Sequence, residues 1–316
     1  MMHQAHVTIA GAGFYVPPRV VTNNDLSQRL ETDDEWIVQR TGIRQRHLVE
    51  ESVTTTDLAT RAAWAALDQS GTAAEEIDLV IVATSTPDDR FPSTAARVQH
   101  AIGATHAAAF DLSAACSGFV YATAVGSQWI ETGCFRNALV VGVDVFSRIV
   151  DWRDRRTAIL FGDGAGAVLL RRTEKPYPYY LSLGADGSGG ELLRAPMGGP
   201  VSMNGTEVYK FGVRIIPSLL QEALQALHLT IDDLALVIPH QANARIIESA
   251  AKKGGYPFEK FFLNVDRYGN TSAASIPIAL TEALQQKVVR EGDLVAMIGF
   301  GGGLTWGIHV LSVYAR

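Results

Sequence analysis

The sequence predicts an α/β protein made of two similar halves, on the strength of three observations. Short apolar runs alternate along the chain with longer segments of helical periodicity. A unit of helix, acidic turn and strand occurs twice, as DLATRAAWAALDQSGTAAEEIDLVIVATSTP (57–87) and IPSLLQEALQALHLTIDDLALVIPHQAN (216–243). The copies keep a near-constant spacing: Asp78 and Asp233 open matched strands at 233 − 78 = 155, and Leu139 and Leu294 open later ones at 294 − 139 = 155. Between them, the strand-to-helix junctions at Cys116 and Asn270 differ by 270 − 116 = 154.

With 316 residues, 47% hydrophobic and 19% charged, the chain can bury a large core and does not read as disordered. AAAFDL (107–112) reads as a short buried strand, and FVYATAVGSQWIE beyond it carries helical, mostly apolar periodicity. Cys116, between them in SAACSGF, therefore stands near a helix N-terminus, where unpaired N–H groups and the helix dipole favour a thiolate. Two readings follow for it, a nucleophile or a small buried hydrophobe. Cys134, in ETGCFRNALVV, has no comparable setting and reads as structural. RRTEKPYP (171–178) reads as the connection between halves, dividing the chain into 1–172, which carries Cys116, and 173–316.

A pseudo-twofold between such halves brings matched strand ends and helix N-termini to a shared centre, where α/β sites form. Cys116 is then expected to face Asn270, and Ser85 to face His240. IPHQANARII (238–247) places His240 directly after a buried strand, and NVDRYGNTSAASIPIAL (264–280) places Asn270 where a helix starts. Singly, each has an ordinary reading, a hydrogen-bonded core histidine and an N-cap. Meeting Cys116 at one centre, they make a nucleophile with two neutral donors, suited to thioester chemistry in which charge develops on a carbonyl oxygen.

A net charge of −6 argues against a general nucleic-acid binder. The N-terminal segment lacks the basic start and apolar core of an export signal, and no apolar run reaches membrane-spanning length. With only two cysteines, this points to a reducing cytoplasm and no membrane partner. FGDGAGA (161–167) looks like a phosphate loop but lacks its lysine, and GAGF (11–14) puts Val16 where a dinucleotide fingerprint needs glycine. His3 and His6 form no metal set with a cysteine, so no metal is expected; His309, in an apolar strand, reads as structural.

Over its whole length the chain resembles bacterial β-ketoacyl-acyl-carrier-protein synthase III, a thiolase-fold condensing enzyme. The motifs that carry the resemblance occur in order: DEWIVQRTGI (34–43), STPDDRFPS (85–93), AACSGF, DRRTAILFGDGAGAVLL (154–170), HQANARII, YGNTSAAS and GFGGGLTWG (299–307). The resemblance implies a thiolase-like fold of two duplicated α/β halves, whose central mixed sheets sandwich buried helices, and a homodimer. It implies no cofactor beyond the coenzyme A thioester that serves as substrate.

The resemblance further implies that Cys116 takes a short acyl group such as acetyl from acyl-CoA. Malonyl-acyl-carrier-protein then loses carbon dioxide while His240 and Asn270 donate hydrogen bonds to its thioester oxygen, and the carbanion attacks the acyl-cysteine. The N–H groups of Cys116 and Gly302 would form the oxyanion hole. Trp36, Arg40 and Arg155 would hold the adenine, and Asn243 would contact the pantetheine arm. Arg156 stands where the family often has glycine. Phe91 would reach across the dimer to close the partner's acyl pocket, with Leu304 also shaping that pocket. Lys210, Arg245, Lys252 and Lys253 would dock the acidic carrier, the last three on one helix after His240.

Other readings stay open at this level. A degradative thiolase would add a second cysteine near the C-terminus, and GFGGGLTWG has none. A hydroxymethylglutaryl-CoA synthase needs a glutamate acid, and none lies near the catalytic motifs. A secondary-metabolism relative would move the acyl group to an oxygen or amine, for which Asn270 has no use. A non-catalytic carrier-binding relative has no use for the complete Cys, His and Asn set. The primer, a matter of a few methylenes, is not written in the sequence.

Overall fold

The computed structural model describes residues 4–313. Strands β1 (Gln4–Tyr15), β2 (Leu79–Ala83), β3 (Ala108–Leu112), β4 (Asn137–Val145) and β5 (Asp163–Pro178) form a sheet in the order β1-β5-β4-β2-β3. Strands β6 (Tyr180–Ala185), β7 (Leu236–Pro239), β8 (Leu294–Gly301) and β9 (Thr305–Ser312) form a second in the order β7-β8-β9-β6. Both are mixed: β2 is parallel to β3 and β4, and β7 to β8, whereas β5 and β9 run antiparallel to their neighbours. The second sheet thus repeats four strands of the first. In place of the fifth it has a single bridge between Val237 and Phe261.

The helices that position the site are α1 (Asp34–Thr41), α2 (Thr55–Ser70), α3 (Thr94–Ile102), α4 (Gly118–Glu131), α5 (Gly205–Leu227), α6 (Ala244–Gly254) and α7 (Ser275–Gln285). α2 shows how local chemistry sets them. Thr54 and Asp57 exchange capping bonds of 2.8 and 3.0 Å, Gly71 ends the helix in the left-handed region, and Leu58, Ala62, Ala66 and Leu67 line its buried face. α4 and α7 are apolar nearly all round because they lie between the sheets. Phe119, Val120, Ile276 and Leu280 pack there against Ile81, Val140, Val295 and Met297. α2 and α3 cover the outer face of the first sheet, and α5 and α6 that of the second.

Two local expectations change. Residues 171–178 are not a connecting loop: they continue β5, paired with β1 from Val7↔Arg172 to Gln4↔Pro178, and the chain changes sheets at Tyr179. AAAFDL does form β3, but as an edge strand with Ala108 exposed and its other residues half-buried.

The duplication is present, with a register two residues longer than the acidic landmarks suggest. Asp78 lies just before a strand while Asp233 closes a 3₁₀ turn (Ile231–Asp233), so they are not equivalent. The strands and central helices match instead at 236 − 79 = 157, 295 − 138 = 157 and 275 − 118 = 157. In this register Cys116 matches Ala273, Asn270 matches Ser113 and His240 matches Ala83. The site residues are therefore not each other's symmetry mates.

What the symmetry does repeat is a turn. Ala115 (φ 47°) and Ser272 (φ 52°) are equivalent at 272 − 115 = 157, and each opens the 3₁₀ turn that feeds a central helix. Such a conformation costs a non-glycine residue about 1–2 kcal/mol. Each turn packs against a glycine in the other half's sheet: a Cβ on Gly142 would lie 2.2 Å from the Ala273 carbonyl oxygen, and one on Gly299 would lie 2.9 Å from Ser117 Cα. Gly142→Ala is expected to cost about 3 kcal/mol of stability by overpacking, with a smaller loss for Gly299→Ala. Urea midpoints of the two variants check this, and the reverse order would contradict the packing described.

Candidate active site

Cys116 is the middle residue of the 3₁₀ turn Ala115–Ser117 ahead of α4, and it is buried. Burial pushes its thiol up to about 11, against the pull of the Ser272 hydroxyl and the N–H groups of Cys116 and Gly302, which favour the thiolate. The expected thiolate is thus a thiol at rest, because desolvation outweighs the helix terminus. Hydrogen bonds fix the turn to the second half: Ser117 Oγ donates to Thr305 O at 2.9 Å, and Thr305 Oγ1 lies 3.1 Å from Ala114 O. β8 can pass this close because Gly301 has no Cβ, which would sit 2.7 Å from that of Cys116.

His240 follows β7 and is buried. Ser275 Oγ accepts from the Gln241 N–H at 3.2 Å and lies 2.7 Å from His240 Nδ1. A hydroxyl that donates to Nδ1 leaves the imidazole proton on Nε2, the tautomer tested below. Burial lowers the imidazole to about 3, which keeps it neutral. Asn270 is oriented the same way: its Oδ1 accepts from the Ser272 N–H at 2.9 Å, leaving Nδ2 without a partner among the described residues. Its backbone is pinned by Leu160 O at 2.8 Å and the Gly162 N–H at 3.0 Å.

Cys116, His240 and Asn270 line one cavity of about 470 Å³. Its inner wall is apolar, made by Ile159, Leu160, Phe161, Leu193, Met203 and Phe300, and its mouth carries Arg40, Arg156 and Arg245. The arrangement is a buried thiol with two neutral polar side chains in a mostly apolar pocket under a cationic rim. A separate cavity of about 600 Å³, lined by Arg19, Arg29, Arg148 and Trp152 among others, holds none of the three residues.

Comparison with known proteins accords with this geometry. The family described as 3-oxoacyl-[acyl-carrier-protein] synthase III matches residues 110–187, and its C-terminal counterpart matches 224–313. Beta-ketoacyl-[acyl-carrier-protein] synthase III 1 of Bacillus cereus is 50% identical, with 97% of this chain and 98% of that protein covered. The synthase III of Caldanaerobacter subterraneus is 46% identical over 96% of this chain and 97% of its own length. The chain belongs to the β-ketoacyl-acyl-carrier-protein synthase III family. The crystal structure of the 3-oxoacyl-[acyl-carrier-protein] synthase III from Aquifex aeolicus superposes with a TM-score of 0.93 at 47% identity, covering 97% of this chain and 99% of that one.

In this chain, the residues expected at the rim divide. Trp36, Arg40, Asn243 and Arg245 line the cavity, as does Arg156, whereas Arg155 does not. Arg155 lies on Trp36, 4.7 Å from the ring centre, and donates to Glu31 O at 2.6 Å; Arg40 approaches the same ring at 5.3 Å. A purine between Trp36 and Arg155 needs two contacts of about 3.5 Å each, so Arg155 must swing out for that clamp to form. Asn243 caps α6, accepting from the Arg245 N–H at 2.9 Å and donating to Arg40 O at 3.0 Å.

Other expectations also move. Leu304 does not line the cavity; it packs into the outer core of the second sheet. Phe91 is 85% exposed on the surface of this chain. Ser85 is exposed, its N–H held by Asp144 at 2.7 Å, and does not meet buried His240. Lys210 pairs with Glu207 at 2.7 Å, while Lys252 and Lys253 are exposed at the end of α6. Cys134 is exposed after α4. His309 is buried in β9, 2.9 Å from Thr123 Oγ1; His3 lies outside the described residues. No group of three metal-ligating side chains occurs among the described residues.

Sequence reasoning missed Ser272, Ser275 and Asp144. The serines lie within the SAAS that follows Asn270, and the one carboxylate inside the apolar run LVVGVDV was the available signal for the third. Nitrogen-15 NMR at pH 5 is expected to show His240 as the neutral Nε2–H tautomer, since its proton uptake is depressed to about 3. Ser275→Ala is expected to release a tautomer mixture. An Nδ1–H resonance in the unsubstituted protein would contradict the assignment.

Proposed function

We propose that the chain joins a short acyl group from a coenzyme A thioester to the malonyl group of malonyl-acyl-carrier-protein, the condensation that starts fatty acid synthesis. The observation that carries this reading is that Cys116, His240 and Asn270 line one cavity. Cys116 attacks the acyl thioester, its own N–H and that of Gly302 receive the oxyanion, and coenzyme A leaves as the thiol. Malonyl-carrier then enters with its thioester oxygen between His240 and Asn270. Negative charge grows there as carbon dioxide departs, and two fixed donors in a water-poor site stabilise it without reorganising. The carbanion attacks the acyl-cysteine, and the β-ketoacyl product leaves on the carrier. Simple acyl transfer makes no enolate, so the unpartnered Nδ2 of Asn270 favours condensation.

The rim supports the same substrates. Arg40, Arg156 and Arg245 suit coenzyme A phosphates, with Arg155 closing over the adenine on Trp36. Lys252, Lys253 and Arg245 on α6, with Lys210 nearby on α5, offer a basic face to an acidic carrier despite the net charge of −6. A homodimer accounts for the unpaired edge of β3 and for exposed Phe91, which would reach the partner's acyl pocket. Residues 1–172 then supply the nucleophile and 173–316 the two donors. No helix among the described residues is long and apolar enough to cross a membrane, which accords with a cytoplasmic site of action.

Incubation with a panel of acyl-CoAs, followed by mass spectrometry, is expected to give an adduct on Cys116. Adding malonyl-acyl-carrier-protein should discharge it with one carbon dioxide per product. His240→Ala and Asn270→Ala are each expected to slow decarboxylation about 10²–10³-fold. Discharge to water, an alcohol or an amine without carbon dioxide would favour plain acyl transfer instead.

A further inference from the structure

Acylation passes through a sulfur anion, and the inner pocket meets it with neutral groups. Burial keeps His240 uncharged, so no imidazolium forms beside the sulfur, and the arginines stand at the cavity mouth. Fixed dipoles must therefore receive the charge. The N–H groups of Cys116 and Gly302 favour the thiolate, but in the acylation proposed above they turn to the oxyanion of the substrate. The Ser272 hydroxyl remains for the sulfur. It donates to Cys116 Sγ at 3.5 Å, and Ser272 is fully buried.

The repeat shows that the backbone does not require this hydroxyl. Ser272 matches Ala115, and the two open equivalent 3₁₀ turns with nearly the same left-handed φ, 52° and 47°. Alanine suffices for the turn in one copy, whereas serine stands in the copy that lies against the sulfur. The conformation also separates the two polar groups of Ser272. Its N–H donates to Asn270 Oδ1 at 2.9 Å while its hydroxyl reaches Cys116, so one strained residue serves a group of each half-reaction.

We propose that the Ser272 hydroxyl is a further catalytic group, which stabilises the Cys116 thiolate during acyl transfer, an inference that rests on Cys116 being the nucleophile. A hydrogen bond to an ionised acceptor is roughly twice as strong as one between neutral groups, so a hydroxyl that donates to sulfur favours thiolate over thiol. The thiol proton goes to solvent water, the sulfur bonds to the acyl carbon, and the bond from that carbon to the coenzyme A sulfur breaks. The coenzyme A thiolate takes a proton from water, so atoms and charge balance. In the acyl-enzyme the sulfur is an uncharged thioester and the contact loses most of its value. It regains that value when the carbanion expels the sulfur as a thiolate.

The groups that face the sulfur are Ser272, the N–H groups of Cys116 and Gly302, the Asp144 carboxylate of β4, which opposes ionisation, and neutral His240, with Arg40, Arg156 and Arg245 at the mouth. Burial pushes Asp144 up to about 6, well below the thiol at about 11, so the two titrate in separate ranges. Removing the hydroxyl takes a donor from the thiolate, and ionisation of Cys116 then moves to higher pH.

The test alkylates Cys116 with iodoacetamide across about pH 7–10, with adducts located by peptide mass spectrometry so that exposed Cys134 is counted separately. In Ser272→Ala and Ser272→Gly the rising limb of the Cys116 rate is expected to move up by about 0.5–1 pH unit. Single-turnover acylation by acetyl-CoA is expected to slow about 10-fold more than malonyl-carrier decarboxylation does, because the bond to Asn270 uses the retained N–H of residue 272. Ser272→Gly, free of the backbone strain, gives the same readouts should the alanine variant fold poorly. An unmoved limb, or equal losses in acylation and decarboxylation, overturns the proposal. Acylation mapped away from Cys116 overturns the nucleophile assignment, and the role of Ser272 with it.

Discussion

Two left-handed turns, 113–117 and 270–274, meet at the pseudo-twofold, and the functional half of the molecule depends on how closely they approach. Each is strained at one non-glycine residue, each starts a helix buried between the sheets, and each rests against a glycine of the opposite half. Neither half can close this contact alone. The central helices, shielded from water by both sheets, supply the apolar burial that holds the strained backbone in place. Gene duplication explains why the device occurs twice. It does not explain the chemistry, because Cys116, His240 and Asn270 match Ala273, Ala83 and Ser113 in the other copy.

Desolvation is the main electrostatic effect at this junction. It raises Cys116, lowers His240 and raises Asp144, in each case favouring the neutral form. A pocket kept close to neutral suits an enzyme that must later stabilise a transient anion, since a fixed charge nearby would either trap it or repel it. The charges are instead at the mouth, where Arg40, Arg156 and Arg245 remain hydrated and can meet phosphates without a large burial cost.

Much of this was legible in the chain. The α/β class followed from the alternation of patterns, and His240 stood out as a polar residue at a strand exit, whereas Asn270 follows a short helix, Val265–Tyr268, where a strand was expected. Other features resisted reading for physical reasons. Asp78 and Asp233 misled the repeat register because surface acids drift between copies while buried strands do not. Arg155 and Arg156 are adjacent and alike; which one lines the cavity depends on the packing of the short helix they begin. Leu304, in the β8–β9 hairpin, packs into the core with residues from both ends of the second half and does not line the cavity. Ser272 acts on a sulfur 156 positions away in sequence, a distance over which local pattern carries no signal.

The sequence by itself determined the duplicated α/β architecture, the strand-to-helix turn that carries Cys116 and the polar residues His240 and Asn270, since these are written in local periodicity and residue type. Only the tertiary structure decided the register of the repeat, the protonation of Cys116 and His240, the arginine that lines the mouth and the contact between Ser272 and the Cys116 sulfur. Those properties arise from burial and from hydrogen bonds between the halves. Both sum over groups that are far apart in the chain and meet only when the two sheets close on α4 and α7.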